Sequence, residues 1–97
     1  TDHLFDVSLS DGNHYLDNTF STSDITVDPT TGNYVLISAQ EKALLEITPA
    51  GVVERSEELP GKHPQPEGVA ITKDNILIVS DEVSKRPASI TLYRLRL

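Results

Sequence analysis

Two segments of the chain repeat one another, and this repeat constrains the fold more than any other feature. Residues 23–28 are followed by a turn and by the apolar run 34–38, and residues 67–72 are followed in the same way by 76–80. The repeats start 44 residues apart, which is within the usual length of one four-stranded β-propeller blade. The sequence therefore predicts an all-β fold of about two four-stranded antiparallel blades.

The repeat also predicts how the chain is divided. Residues 1–20 are expected to be the end of a preceding blade and a connector, residues 21–60 the penultimate blade, and residues 61–97 the last blade. Propellers close with roughly 4–8 blades, so these 97 residues are expected to be part of a larger, six-bladed propeller. A small β-sandwich or a lone β-meander is the alternative fold.

The two hairpin turns predict which residues face one another across each strand pair. The first turn places Ile25 opposite Leu36. The second turn, taken as a two-residue loop after Thr72, places Glu67 opposite Ser80. In this register the two hairpins agree position by position.

The second strand of each repeat is expected to be buried on both faces. Residues 34–37 and 76–79 are continuously apolar, whereas a strand with one face in water alternates apolar and polar residues. Neighbouring blades of a propeller cover both faces of such a strand.

Charge and composition exclude several classes of function. The formal net charge is -7 and the pI is about 4.7, so the surface repels the phosphate backbone of nucleic acids. With no cysteine, neither a disulfide nor a thiolate metal site is available. No apolar run approaches the roughly 20 residues that span a bilayer, so no membrane span is expected in this chain.

Carboxylates converge on one predicted rim of the central channel that the blades of a propeller surround. Antiparallel pairing returns the end of the second strand to the point where the first began, so Glu67 is expected beside Asp81 and Glu82. Ser23 takes the corresponding place in the preceding blade, with Asp24 next to it. Calcium takes six to eight oxygen ligands, and the carboxylates of Glu67, Asp81, Glu82 and Asp24 are the predicted contributors to its shell. A hydrogen bond to a nearby amide is the alternative role for Asp24. Glu67 is the leading candidate because a glycine follows it and permits close backbone approach.

Other polar residues near the same rim are predicted to contact a small ligand: Ser23, Ser80, Lys85 and Arg86. His3, His14 and His63 are too scattered for a metal triad and are expected at the surface. The serines include no Gly-x-Ser-x-Gly elbow, so no residue is assigned a catalytic role.

Two segments, residues 64–70 and 75–82, resemble the last blade of the SdiA-regulated (YjiK/CarP) family of β-propellers. Residues 23–27, 33–38 and 43–51 are similar to its penultimate blade. The most specific string is the Glu-Gly-Val-Ala entry at Glu67, although NHL, gluconolactonase and strictosidine synthase propellers begin blades similarly. The resemblance covers about residues 20–97, and the loop at residues 83–87 is longer than the family pattern.

The resemblance implies a secreted, periplasmic or envelope-associated propeller with a calcium-linked role and a proposed likeness to phytases. The leading hypothesis is a non-catalytic segment that binds calcium or a small ligand at the channel mouth and contacts partners. Those partners are the remaining blades of the same propeller or further copies of this chain, three of which would complete a six-bladed ring. The alternative function is part of a calcium-dependent, phytase-like or lactonase-like hydrolase.

Overall fold

The computed structural model describes residues 3, 20–60, 63–83 and 86–95, and every regular element in these ranges is a β-strand. The strands form two antiparallel sheets, one with the order β1-β2-β3-β4 and one with the order β5-β6-β7. Their bounds are β1 Asp24–Val27, β2 Tyr34–Ser38, β3 Ala43–Ile47, β4 Val53–Glu58, β5 Pro66–Ile71, β6 Ile76–Val83 and β7 Arg86–Arg94.

This architecture confirms the predicted all-β class. Both sheets are meanders in which each strand pairs with the next one along the chain, as in propeller blades that have not closed into a ring. The second sheet has three strands in the described ranges. The predicted end of a preceding blade, residues 1–20, lies outside the described residues apart from His3 and Phe20.

The first hairpin has the predicted register. Ile25 pairs with Leu36, and the Asp28 amide donates to the Asn33 carbonyl oxygen at 2.8 Å. The loop closes through Gly32, whose φ of 79° lies in the left-handed region that glycine adopts without strain.

The second hairpin departs from the predicted register by one residue. Gly68, not Glu67, pairs with Ser80. The reason is the loop: the Thr72 amide donates to the Ile76 carbonyl oxygen, and Asn75 takes a φ of 64° as the third loop residue. Three-residue hairpin loops commonly end in such a left-handed residue, for which asparagine is suited. The predicted two-residue loop was therefore wrong.

Apolar side chains fill the space between the two sheets. The first sheet contributes Val35, Ile37 and Leu44 to this cluster, and the second contributes Leu77 and Val79. All five are at most 4% exposed. Burial of this kind stabilises the sheet pair because each large apolar side chain removed from water is worth roughly 1.5–3 kcal/mol.

The outer faces of the two sheets differ. On the first sheet a second apolar cluster contains Phe20, Leu36 and Leu45, so β2 and β3 are buried on both faces from Val35 onward. On the second sheet Leu92 is 61% exposed, and its cross-strand partner Ile78 is only partly buried. The prediction of burial on both faces therefore holds for residues 35–37 and not for β6, whose outer face has no comparable cover in the described structure.

Candidate functional site

The predicted rim lies where β5 begins and β6 ends. Pro66 pairs with Asp81, and the Glu82 amide donates to the Gln65 carbonyl oxygen at 3.1 Å. Glu67 sits between Pro66 and Gly68, where the register shifts by one residue, so it has no partner residue in the ladder. The structure thus brings the backbones of the three predicted carboxylate residues, Glu67, Asp81 and Glu82, to one edge of the second sheet.

The side chains at this edge are buried to different degrees. Glu67 and Glu82 are exposed, whereas Asp81 is 2% exposed. Strand alternation explains the difference between Asp81 and Glu82, because consecutive residues point to opposite faces of a sheet. Asp81 shares the inner face with Leu77 and Val79, and Glu82 lies on the other face.

Gly68 serves a packing role within the sheet. A Cβ atom at this position would lie 2.2 Å from the hydroxyl oxygen of Ser80, its partner across the strand pair. The space beside this glycine is therefore taken by Ser80, and the close approach foreseen for a ligand is made by the neighbouring strand.

Asp81 accepts hydrogen bonds from within the protein on both carboxylate oxygens. Its Oδ2 lies 2.6 Å from Nδ1 of His63, and its Oδ1 accepts the Gln65 amide at 3.1 Å. The side chains of Asp81 and His63 are each 1% exposed. The expectation that His63 lies at the surface was wrong.

His63 also contacts a tyrosine of β7. Its Nε2 is hydrogen-bonded to the hydroxyl of Tyr93, which in turn donates to the Pro60 carbonyl oxygen at 2.6 Å. Partial burial raises the pKa of Tyr93 above its ordinary value of 10.0, and the negative charge of Asp81 adds to the rise. Sequence reasoning missed this cluster, because its members lie in a proline-containing loop and on two different strands.

Asp24 ties the two sheets together. Its Oδ2 accepts the Val69 amide of β5 at 2.9 Å, and its Oδ1 accepts the amide of Ile25 at 2.9 Å. The first strands of the two sheets, β1 and β5, therefore lie side by side. At the opposite end of these strands the Thr30 hydroxyl donates to Asn75 Oδ1 at 2.9 Å, so the two hairpin loops are joined as well.

The predicted ligand-binding residues occupy separate positions. Ser23 is exposed, and its hydroxyl accepts the Ala39 amide at 2.8 Å, just before β1. Ser80 is partly buried on β6. Arg86 begins β7, where its backbone pairs with Val83, and Lys85 lies outside the described residues. Their contacts with a ligand stay predictions.

The carboxylate oxygens at this edge can be compared with the ligands that calcium requires. Among the residues that the structure describes, no three His, Asp or Glu side chains form a group able to hold a metal ion. Asp24 and Asp81 already accept protein donors on both oxygens. The exposed carboxylates of Glu67 and Glu82 fit a cation site only as part of a larger shell, with further oxygens from elsewhere.

A cleft of about 160 Å³ opens between the two sheets. Its apolar lining comes from Leu44, Leu59, Leu77 and Leu95, and Tyr93 reaches it from β7. None of the predicted site residues lines it.

No helix in the described ranges is long and apolar enough to cross a membrane.

Comparison with known proteins gives one family. A family model described as SdiA-regulated matches residues 6–95, nearly the whole chain. No curated protein and no solved structure matches the chain.

Proposed function

The chain belongs to the SdiA-regulated family, and from this premise we propose that it acts as a non-catalytic binding segment of a larger extracytoplasmic β-propeller. The observation that carries the proposal is the packing of two meander sheets with their first strands side by side, joined by the contact of Asp24 with the Val69 amide. Because β1 and β5 lie side by side, both strands start at the same end of the sheet pair. In the proposed propeller this end is the mouth of the central channel.

Binding is favoured over hydrolysis by the burial of the groups that would transfer protons. His63 and Asp81 have the pairing that general-base catalysis uses, but a substrate cannot reach side chains that are 1% exposed. Both nitrogens of His63 are also engaged, one by Asp81 and one by Tyr93. This cluster therefore serves the fold.

The proposed ligand is a cation, with calcium as the first choice, held at the mouth by Glu67. This carboxylate is exposed, has no ladder partner and follows the strand entry Pro66. Glu82 lies on the adjacent strand end. The remaining oxygens would come from the other blades or from further copies of the chain, which are the proposed partners, and the periplasmic or envelope location rests on the resemblance alone.

Calorimetric titration of the full-length protein with calcium tests this proposal. Glu67→Gln keeps the shape of the side chain and removes its charge, so we expect at least about a tenfold loss of affinity. Asp74→Asn is the matched control, because Asp74 is an exposed carboxylate in the turn at the other end of β5. Its affinity should equal that of the unaltered protein.

Two results would contradict the proposal. If the unaltered protein does not bind calcium, or if Glu67→Gln binds calcium with equal affinity, the proposed cation site at Glu67 is wrong. Calcium-dependent hydrolysis of a phosphate ester or a lactone that disappears in Glu67→Gln would establish the hydrolase instead.

A further inference from the structure

The second sheet ends in an open edge. In the described structure β7 pairs with β6 alone, whereas the third strand of the first sheet, β3, lies between β2 and β4. An edge strand presents a row of backbone N–H and C=O groups that have no partner in the sheet. We propose that β7 binds an extended segment of another polypeptide, which adds to this edge as a fourth, antiparallel strand.

The ladder between β6 and β7 shows which backbone groups face the edge. The Leu95 amide donates to the Asn75 carbonyl oxygen at 2.9 Å, in register with the pairs of β6 and β7. Hydrogen-bonded pairs alternate along antiparallel strands, so Tyr93 and Thr91 also bond to β6. The N–H and C=O groups of Ile90 and Leu92 therefore point away from β6, toward the open edge.

The composition of this edge favours strand addition. Residues 88–93, which form most of β7, carry no charge. Charged residues on an edge strand are a usual protection against unwanted pairing. The outer edge of the first sheet, β4, has four of them in six residues: Glu54, Arg55, Glu57 and Glu58. Of these two outer edges, β7 has the composition of a strand that is paired.

An apolar cleft beside the same edge defines one residue of the partner. The cleft of about 160 Å³ lies between β4 and the end of β7, where Tyr93 lines it. Its apolar lining also includes four leucines: Leu44, Leu59, Leu77 and Leu95. A cavity of about 150 Å³ holds a benzene molecule, so there is room for one large apolar side chain. The added strand supplies it at the position opposite Tyr93.

Charge defines a second residue of the partner. Arg94 lines the cleft and is exposed, and no ion pair joins it to a described residue. β7 contains no acidic residue. Opposite charges that face one another across two strands attract, so the residue opposite Arg94 on the added strand is a carboxylate.

A second copy of this chain does not meet these requirements. The inner face of β7 carries Ser89, Thr91 and Tyr93, so a second β7 has no aliphatic side chain for the cleft. A second β4 would bring its charged residues to the apolar lining. The partner is therefore a separate polypeptide in which apolar and polar residues alternate.

Amide hydrogen exchange of the full-length protein, with and without a synthetic peptide, tests the proposal. The peptide is acetyl-Thr-Glu-Leu-Thr-Val-Thr-amide, whose glutamate and leucine are placed for Arg94 and the cleft. At saturating peptide we expect the amides of Ile90 and Leu92 to exchange at least about tenfold more slowly. The amides of Thr91 and Tyr93 already bond to β6 and should keep their rates.

Two altered peptides and two protein variants are the controls. Methylation of the backbone nitrogens of the glutamate and the middle threonine keeps every side chain and should abolish the protection. Serine in place of leucine should weaken binding at least about tenfold, because the cleft stays empty. Leu92→Pro removes one outward amide of β7 and should abolish the protection of Ile90, whereas Glu58→Pro, on the outer edge of β4, should not.

Three results would overturn the proposal. Protection of Ile90 and Leu92 before peptide is added would show that another part of this protein or a second copy covers the edge. Unchanged exchange at saturating peptide would show that the edge does not accept a strand. Equal protection by the methylated peptide would show that the contact does not use the backbone. None of these measurements requires calcium, so they are independent of the proposed cation site.

Discussion

Asp81 and Glu82 are adjacent acidic residues with opposite environments. Alternation along β6 places Asp81 among buried apolar residues and Glu82 in solvent. A carboxylate buried there is stable only with hydrogen-bond donors, which His63 and the Gln65 amide supply. The sequence shows two acids at a strand end, and only the direction of each side chain separates their roles.

Tyr93 links this cluster to stability at alkaline pH. Because its pKa is raised above 10.0, the folded protein holds the hydroxyl proton more tightly than the unfolded chain does. This contribution to stability is complete below about pH 10 and is lost as the pH rises through the folded-state pKa. Tyr93→Phe has no proton to lose, so we expect a shallower fall of melting temperature above about pH 10.

The control for this prediction is Tyr34→Phe, which alters an exposed tyrosine outside the cluster. Thermal unfolding of the three proteins at several alkaline pH values gives the comparison. An alkaline fall of the same steepness in Tyr93→Phe and in the unaltered protein would contradict the role of Tyr93.

The hairpins show how far strand pairing follows from sequence. The first was predicted in its observed register, because its loop of residues 29–32 carries Gly32 at the position that needs a positive φ. The observed register of the second hairpin differs by one residue from the predicted register, because Asn75 adopts a left-handed conformation that asparagine permits but does not require. One additional loop residue shifts the register by one, and a shift of one residue moves every side chain of a strand to the other face of the sheet.

Strand pairing also predicted where the three acidic residues of the second sheet lie. Pairing rules brought Glu67, Asp81 and Glu82 to one edge of the second sheet, and this edge is seen. The bulge at Glu67 and the burial of His63 were not foreseeable, since neither leaves a periodic pattern. A histidine in a loop becomes buried only when the loop folds back over a sheet, which is a tertiary event.

Asp24 connects the sheets through a backbone amide, and its removal tests how much that connection contributes. In Asp24→Ala the Val69 amide loses its acceptor at a partly buried position. A buried donor without a partner costs about 1–3 kcal/mol, and we expect a loss of that size in the free energy of unfolding. Urea denaturation of the full-length protein measures it.

Asp74→Ala serves as the comparison, because it removes a carboxylate of equal size from an exposed turn. Its effect should lie within about 0.5 kcal/mol of zero, as for most surface substitutions. Equal losses in the two variants would show that Asp24 does not join the sheets.

The two sheets are unequal as parts of one molecule. Among the residues that the structure describes, the first sheet is covered on both faces, by the second sheet and by the cluster around Phe20, whereas the second sheet is covered on one. Its outer face carries Ile90 and Leu92, which are 66% and 61% exposed and lie on the same side as Ile78. Such a face is apolar enough to pack against another sheet, as neighbouring blades do in a propeller.

Sedimentation of the 97-residue chain tests whether this face drives association. We expect the chain to sediment as species heavier than 10.6 kDa, because water is excluded from Ile90 and Leu92 when a second copy covers them. The double variant Ile90→Lys with Leu92→Lys places two charges on the face and should shift the population to the monomer. Val52→Lys, at a 60% exposed valine of the first sheet, should not. A single 10.6 kDa species for the unaltered chain would contradict self-association, and equal shifts in both variants would assign it to charge alone.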